Sequence, residues 1–126
     1  AHGWKDVILV GHSLGVITIL QYLQHRREPV RGAVLVAGFA RSINVPELDD
    51  FFTEPVDFTG VKQSIRRAAV INSDNDPYVP LSEGEFIAKQ LGVPLQIAHG
   101  AKHISESAGI TQYPPILAAV RNIIET

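Results

Sequence analysis

Short apolar runs alternate along the chain with stretches of helical spacing. The first run, Val7 to Val10, leads directly into Gly11, and from Leu14 onwards apolar residues recur at three-residue steps. Branched apolar runs of this length are typical of strands buried on both faces of a parallel sheet, and the spacing that follows is typical of a helix. The pattern therefore predicts a strand, a turn and a helix near the N-terminus.

The alternation continues to the C-terminus. Further strands are predicted at 33–37, 68–72 and 94–98. A helix is predicted from Ser82, as its N-cap, to Leu91 before Gly92, and a last helix from Pro114 or Pro115 to Ile124. This order indicates an α/β fold, with a parallel sheet of about four strands and helices on both faces. Functional sites in such sheets lie at the C-terminal ends of the strands.

Composition narrows the class of protein. The chain has 126 residues, of which 45% are hydrophobic, which predicts one core and a single domain over residues 1–126. Its 11 basic and 13 acidic residues leave a net charge of -2, without a basic stripe that would predict nucleic-acid binding. No apolar run approaches the roughly 20 residues of a membrane span. The absence of cysteine excludes disulfides and thiolate metal sites and favours a cytoplasmic location.

The turn after the first strand carries the sequence Gly11-His-Ser-Leu-Gly15, which matches G-x-S-x-G between a strand and a helix. In this context Ser13 is predicted to stand on a strained turn as a nucleophile, with small flanking residues because space is short. The N–H of Leu14, at the start of the helix, is predicted to donate to an oxyanion. The alternative is a serine that merely caps a helix.

A serine nucleophile needs a base and an orienting acid, which follow it in the chain as Asp or Glu and then His in this type of fold. Asp76 follows the third strand and His103 follows the fourth, so both fit the order and the position. Asp74 and His99 are the rival acid and base, and they lie in the same two loops. Asp76 is favoured because Pro77 restricts the turn that follows it.

Aromatic and acidic residues are concentrated at 45–59, after the second strand. Phe51 and Phe52 in this segment, together with Phe39, are predicted to line the substrate site beneath a short lid, and packing of the aromatic residues into the core is the alternative. The acidic residues lack the spacing of a metal-binding loop, so no metal is predicted.

Four stretches, Val10 to Gly15, Leu35 to Ala40, Ser73 to Pro80 and His99 to Ile104, resemble the YdeN-like, retinoblastoma-binding-protein-type small serine hydrolases of the α/β-hydrolase superfamily. The resemblance extends along nearly the whole chain. It implies that Asp76, which precedes Pro-x-Val-Pro, is the triad acid and that His103 is the base. It also implies an esterase-like or peptidase-like enzyme that acts on a small ester or amide without a cofactor.

The chain departs from this family in two places. Lys102 occupies the position before the catalytic His where the family usually has Gly. No strand and loop precede Val7 to supply the second oxyanion N–H, so the chain is expected to be the C-terminal portion of a longer domain. The alternative function is therefore a weak or inactive hydrolase fragment that acts as a protein-binding module. In either case the strand at Val7 to Val10 is expected to be an exposed edge that pairs with a second copy or an N-terminal partner segment.

Overall fold

The computed structural model describes residues 4–26, 28–105 and 113–125. Its centre is a four-stranded parallel sheet in the order β1-β2-β3-β4. The strands are β1 (Ile8–His12), β2 (Val30–Val36), β3 (Ile65–Ser73) and β4 (Leu95–Ala98). The α-helices are α1 (Leu14–Leu23), α2 (Phe58–Gln63), α3 (Leu81–Leu91) and α4 (Pro114–Glu125), and short 3-10 helices occupy Trp4–Asp6 and Pro46–Phe52. The predicted α/β architecture is confirmed.

Two apolar layers cover the sheet. On one face, α1, α2 and α3 enclose a core that includes Leu20, Val70 and Ile87. On the other face, α4 packs against β2 and β3, and Ile123 joins a smaller core with Val34. The stretch of β2 from Ala33 to Val36 is buried and continuously apolar, as expected for a strand covered on both faces.

The strand prediction was wrong in one respect. β1 lies at the edge of the sheet and Val10 is 52% exposed, so β1 is not a strand buried on both faces. None of the helices in the described parts of the chain has the combined length and apolar character needed to cross a bilayer.

The helix boundaries differ from the prediction at two points. The N-cap of α3 is Pro80, two residues before the predicted Ser82, and no side-chain hydrogen bond caps the helix, so Ser82 is inside it. The other end is as predicted, since Gly92 adopts a left-handed φ of 71° that terminates the helix. The short helix α2 was not predicted, although its N-cap Asp57 accepts hydrogen bonds from Thr59 and Gly60 N–H.

Candidate active site

Ser13 connects β1 directly to α1 and has a strained backbone, with φ 58° and ψ -118°. Its N–H donates to the carbonyl of Val36 over 2.9 Å, which anchors the turn to β2. The Ser13 side chain makes no capping hydrogen bond to the helix. The alternative of an ordinary helix-capping serine therefore does not describe this residue. A non-glycine residue held at positive φ costs about 1–3 kcal/mol, and such strain is concentrated at functional sites.

The two glycines of the motif differ in how closely they are packed. A Cβ on Gly11 would lie 2.6 Å from the side chain of Ile19 and 2.9 Å from the backbone of Gly15, so only glycine fits there. A Cβ on Gly15 would meet no described atom within 4 Å. The expectation that space is short on both sides is therefore correct for Gly11 and wrong for Gly15.

Asp76 and His103 form the buried acid–base pair of this end of the sheet. Asp76 Oδ2 lies 2.7 Å from His103 Nδ1, with the side chains 1% and 15% exposed respectively. The other carboxylate oxygen, Oδ1, accepts hydrogen bonds from the N–H groups of Tyr78 and Val79 at 2.8 and 3.0 Å. With Asp76 ionised, its oxygens only accept hydrogen bonds, so His103 donates from Nδ1 and a neutral ring has its lone pair on Nε2. His103 is thus held in the tautomer that a general base requires.

Asp74 and His99, the rival acid and base, pair with each other. Asp74 Oδ2 lies 2.8 Å from His99 Nδ1, and the side chains are 36% and 82% exposed. The hydrogen bond from Gly100 N–H, and then that from His99, lower the pKa of Asp74 below its ordinary value of 3.8. This second pair stabilises the loop after β4, and it lies outside the buried pair formed by Asp76 and His103.

The loop that carries His103 is also fastened to the nucleophile turn. His12, adjacent to Ser13, donates from Nε2 to the carbonyl of His103 over 2.8 Å, and the two rings meet edge to face at 4.8 Å. On the two sides of His103, Lys102 and Ile104 have φ values of 50° and 52°. Left-handed φ is favourable for glycine, which explains why a glycine suits the position of Lys102.

Asn75 is a structural residue of the site that the sequence analysis missed. Its Oδ1 accepts hydrogen bonds from Lys102 N–H and from the hydroxyl of Ser73, both at 2.8 Å. Asn75 therefore links the loop after β3 to the loop that carries His103. Its place in a cluster of turn-forming residues was the available signal, because such side chains commonly bind nearby backbone groups.

The aromatic residues predicted to bind substrate lie in different environments. Phe39 is 1% exposed, and its ring packs 5.8 Å from that of Phe52. Phe51 is 38% exposed, and its carbonyl accepts a hydrogen bond of 2.6 Å from Gln21. Phe52 lines an open cavity of about 330 Å³ with Phe58, Phe86 and other residues. Core packing is thus the environment of Phe39, whereas Phe51 and Phe52 keep accessible surface.

Two further features concern the chemistry at this end of the sheet. Leu14 is the first residue of α1, so its N–H belongs to the helix turn whose donors have no partner within the helix. Among the described residues, no group of three or more His, Asp or Glu side chains is placed to hold a metal ion. This end of the sheet therefore carries the strained Ser13, the Asp76–His103 pair and the N–H of Leu14.

Comparison with known proteins identifies the family of the chain. Residues 2–122 match the model of the serine hydrolase family. The chain is 36% identical over 114 residues to YdeN of Bacillus subtilis (strain 168), which is named as a hydrolase, and the match covers 87% of this chain and 60% of YdeN. The chain therefore spans about 60% of the length of that relative.

Solved structures show the same fold. The crystal structure of the B. subtilis ydeN gene product superposes with a TM-score of 0.88 at 31% identity, over 97% of this chain and 67% of that one. A YdeN-like hydrolase from Pectobacterium atrosepticum gives a TM-score of 0.69 at 24% identity, over 95% and 60% of the two chains. The chain belongs to the serine hydrolase family, within the α/β-hydrolase superfamily.

Proposed function

We propose that the chain carries the catalytic triad of a serine hydrolase that cleaves small esters or amides, with Ser13 as nucleophile, His103 as base and Asp76 as orienting acid. The observation that supports this most directly is the buried hydrogen bond of 2.7 Å between Asp76 and His103. It lies at the same end of the sheet as the strained turn that presents Ser13.

The proposed reaction proceeds through an acyl-enzyme. His103 Nε2 takes the hydroxyl proton of Ser13 as Oγ forms a bond to the substrate carbonyl carbon. The Leu14 N–H donates to the oxyanion, and Asp76 stabilises the imidazolium. The bond to the leaving alcohol or amine then breaks, and His103 returns the proton to that group. His103 next takes a proton from water as the water oxygen bonds to the acyl carbon. The bond from that carbon to Ser13 Oγ then breaks, His103 returns the proton to Oγ, and the acid is released.

Labelling with a fluorophosphonate tests the nucleophile directly, because this probe reacts with an activated serine and not with ordinary hydroxyls. We expect the modification to map to Ser13 and to disappear in Ser13→Ala and His103→Ala. His99→Ala is the matched control, since it removes the histidine of the exposed pair, and it should keep most of the labelling. Folded protein that resists labelling, or labelling that depends on His99 and not on His103, would contradict the assignment.

A second candidate function is that of a binding module with weak catalysis. It is favoured by the edge position of β1 in the described part of the chain, where Val10 is 52% exposed. Leu14 is the oxyanion donor identified among the described residues, and an oxyanion hole with one donor fewer turns over about 10²–10³-fold more slowly. We propose that the β1 edge pairs with a second copy or with an N-terminal partner segment.

Light scattering during size-exclusion chromatography tests this pairing. A dimer that Val10→Lys converts to a monomer would support it, because a charge on an exposed edge strand opposes strand pairing. A stable monomer of the unmodified chain, with no affinity for an added N-terminal segment, would contradict it. Normal labelling of Ser13 combined with very slow ester turnover would favour the weak-catalyst function over the full hydrolase.

A further inference from the structure

A second surface lies at the opposite end of the sheet from the triad. β3 extends from Ile65 to Ser73, but β4 pairs only with Val70–Ser73. Within the described residues, the segment from Ile65 to Ala69 therefore has β2 on one side and no strand on the other. At about 3.3 Å per residue, this free edge is about 16 Å long.

The backbone of this edge has groups available for pairing. In a parallel strand, the N–H and C=O of one residue point to the same side, and successive residues alternate. The carbonyl of Ile71 accepts from Ala37 N–H on the β2 side, whereas Asp74 N–H donates to Ala98 on the β4 side. Counting back by two, Ala68 directs its N–H and C=O groups to the free edge. The alternation does not extend to Arg66, because Val30 N–H donates to the Ser64 carbonyl on the β2 side.

A groove of about 900 Å³ runs along this edge. Apolar residues from β3, α4 and the start of β4 line it, among them Ala68, Leu95 and Ile123. The exposed cationic residues Arg66 and Arg67 belong to its wall. Lys62 adds a third cation.

These cations are not neutralised within the described residues. No acidic side chain there lies within 4.0 Å of the charged groups of Lys62, Arg66 or Arg67. An adjoining hollow, which Arg66 and Arg67 share, adds Lys5 and Arg31 and a single acid, Asp6. A second copy of this chain placed edge to edge would bring the same cations together, which costs free energy.

We propose that this groove binds an extended acidic peptide segment, which adds as a strand along Ile65 to Ala69. The peptide backbone pairs with Ala68, and the carboxylates of the peptide approach Lys62, Arg66 and Arg67. Such strand addition takes its affinity from backbone hydrogen bonds and its specificity from the side chains. The ligand leaves the triad accessible because the two sites lie at opposite ends of parallel strands.

The probe for this proposal is a fluorescent eight-residue peptide of threonine and valine with two adjacent glutamates at its centre. Fluorescence anisotropy should show saturable binding, and the isomer with two central lysines should bind at least about 10-fold more weakly. The double variant Arg66→Glu/Arg67→Glu should lose at least about 10-fold in affinity for the acidic peptide and gain affinity for the lysine isomer. Lys89→Glu is the matched control, because Lys89 is an exposed cation on α3 outside the groove. The affinity of this variant for the acidic peptide should stay within about two-fold of that of the unmodified chain.

Backbone pairing is tested separately, without changing the protein. N-methylation of alternate peptide amides should abolish binding in one register and leave it intact in the other, since only one set of amides faces β3. Equal binding of both methylated peptides, or equal binding of the acidic and lysine isomers, would overturn the proposal. So would displacement of the peptide by an equal concentration of single-stranded oligonucleotide, which would indicate a general polyanion surface. Fluorophosphonate labelling of Ser13 should proceed at an unchanged rate with the peptide bound.

Discussion

Replacement of Ser13 by glycine or by alanine separates backbone strain from chemistry. Both changes remove Oγ, so neither variant should react with a fluorophosphonate. Only glycine relieves φ 58° and ψ -118°, a strain of about 1–3 kcal/mol in any other residue. Glycine also raises the conformational entropy of the unfolded chain, which takes away about 0.5–1 kcal/mol of the stability gained by relieving the strain. Ser13→Gly should therefore be more stable than Ser13→Ala by about 0.5–2 kcal/mol.

Urea unfolding followed by circular dichroism measures this difference in the free energy of unfolding, provided that both variants have the same dependence on urea. Thr18 supplies the control, because it is an exposed residue inside α1. There the order should reverse, with Thr18→Ala more stable than Thr18→Gly by about 1 kcal/mol. Equal stability of the two Ser13 variants, or greater stability of Ser13→Ala, would refute the strained-turn interpretation.

Three further predictions concern the loops around the triad. Asp76→Asn should lower ester turnover by about 10⁴-fold because the tautomer of His103 is no longer fixed, whereas Asp74→Asn should change it by less than about 10-fold. The free energy of unfolding, measured with urea, should be about 0.5–1 kcal/mol higher for Lys102→Gly than for Lys102→Ala, because φ is 50° at this position. A higher value for Lys102→Ala would contradict this. The lowered pKa of Asp74 stabilises the fold fully above its ordinary value of 3.8, and that contribution is lost as the pH falls below it. Below pH 4, the free energy of unfolding should therefore fall less steeply with decreasing pH in Asp74→Asn than in the unmodified chain. Identical curves for the two proteins would count against a stabilising role of this carboxylate in the folded state.

The local pattern was enough to predict most of the fold. Continuous apolar runs and three-residue spacing identified the strands and three of the helices, because burial on a sheet or along a helix imposes those periods. The motif around Ser13 was equally local, since the close contact of Gly11 with Ile19 and Gly15 involves residues of one turn and one helix. The apolar run of β1 did not indicate that Val10 is 52% exposed, because the exposure of a strand depends on the elements that cover it.

The tertiary structure decided which partners meet. Both Asp74 and Asp76 follow β3, and both His99 and His103 follow β4, so spacing alone left more than one acid–base pair possible. Hydrogen bonds from Tyr78 and Val79 orient Asp76, and contacts across the two loops give each Asp its own His.

The cationic groove is a second example. Lys62 belongs to α2 and Arg66 and Arg67 to β3, and no charge run in the sequence marks them as a binding surface. They border a groove because β4 is shorter than β3, which leaves one edge of the sheet open. A sequence determines local periods and turns directly, because each depends on neighbouring residues. The pairing of loops and the open length of an edge depend on distant strands, so only the folded chain determines them.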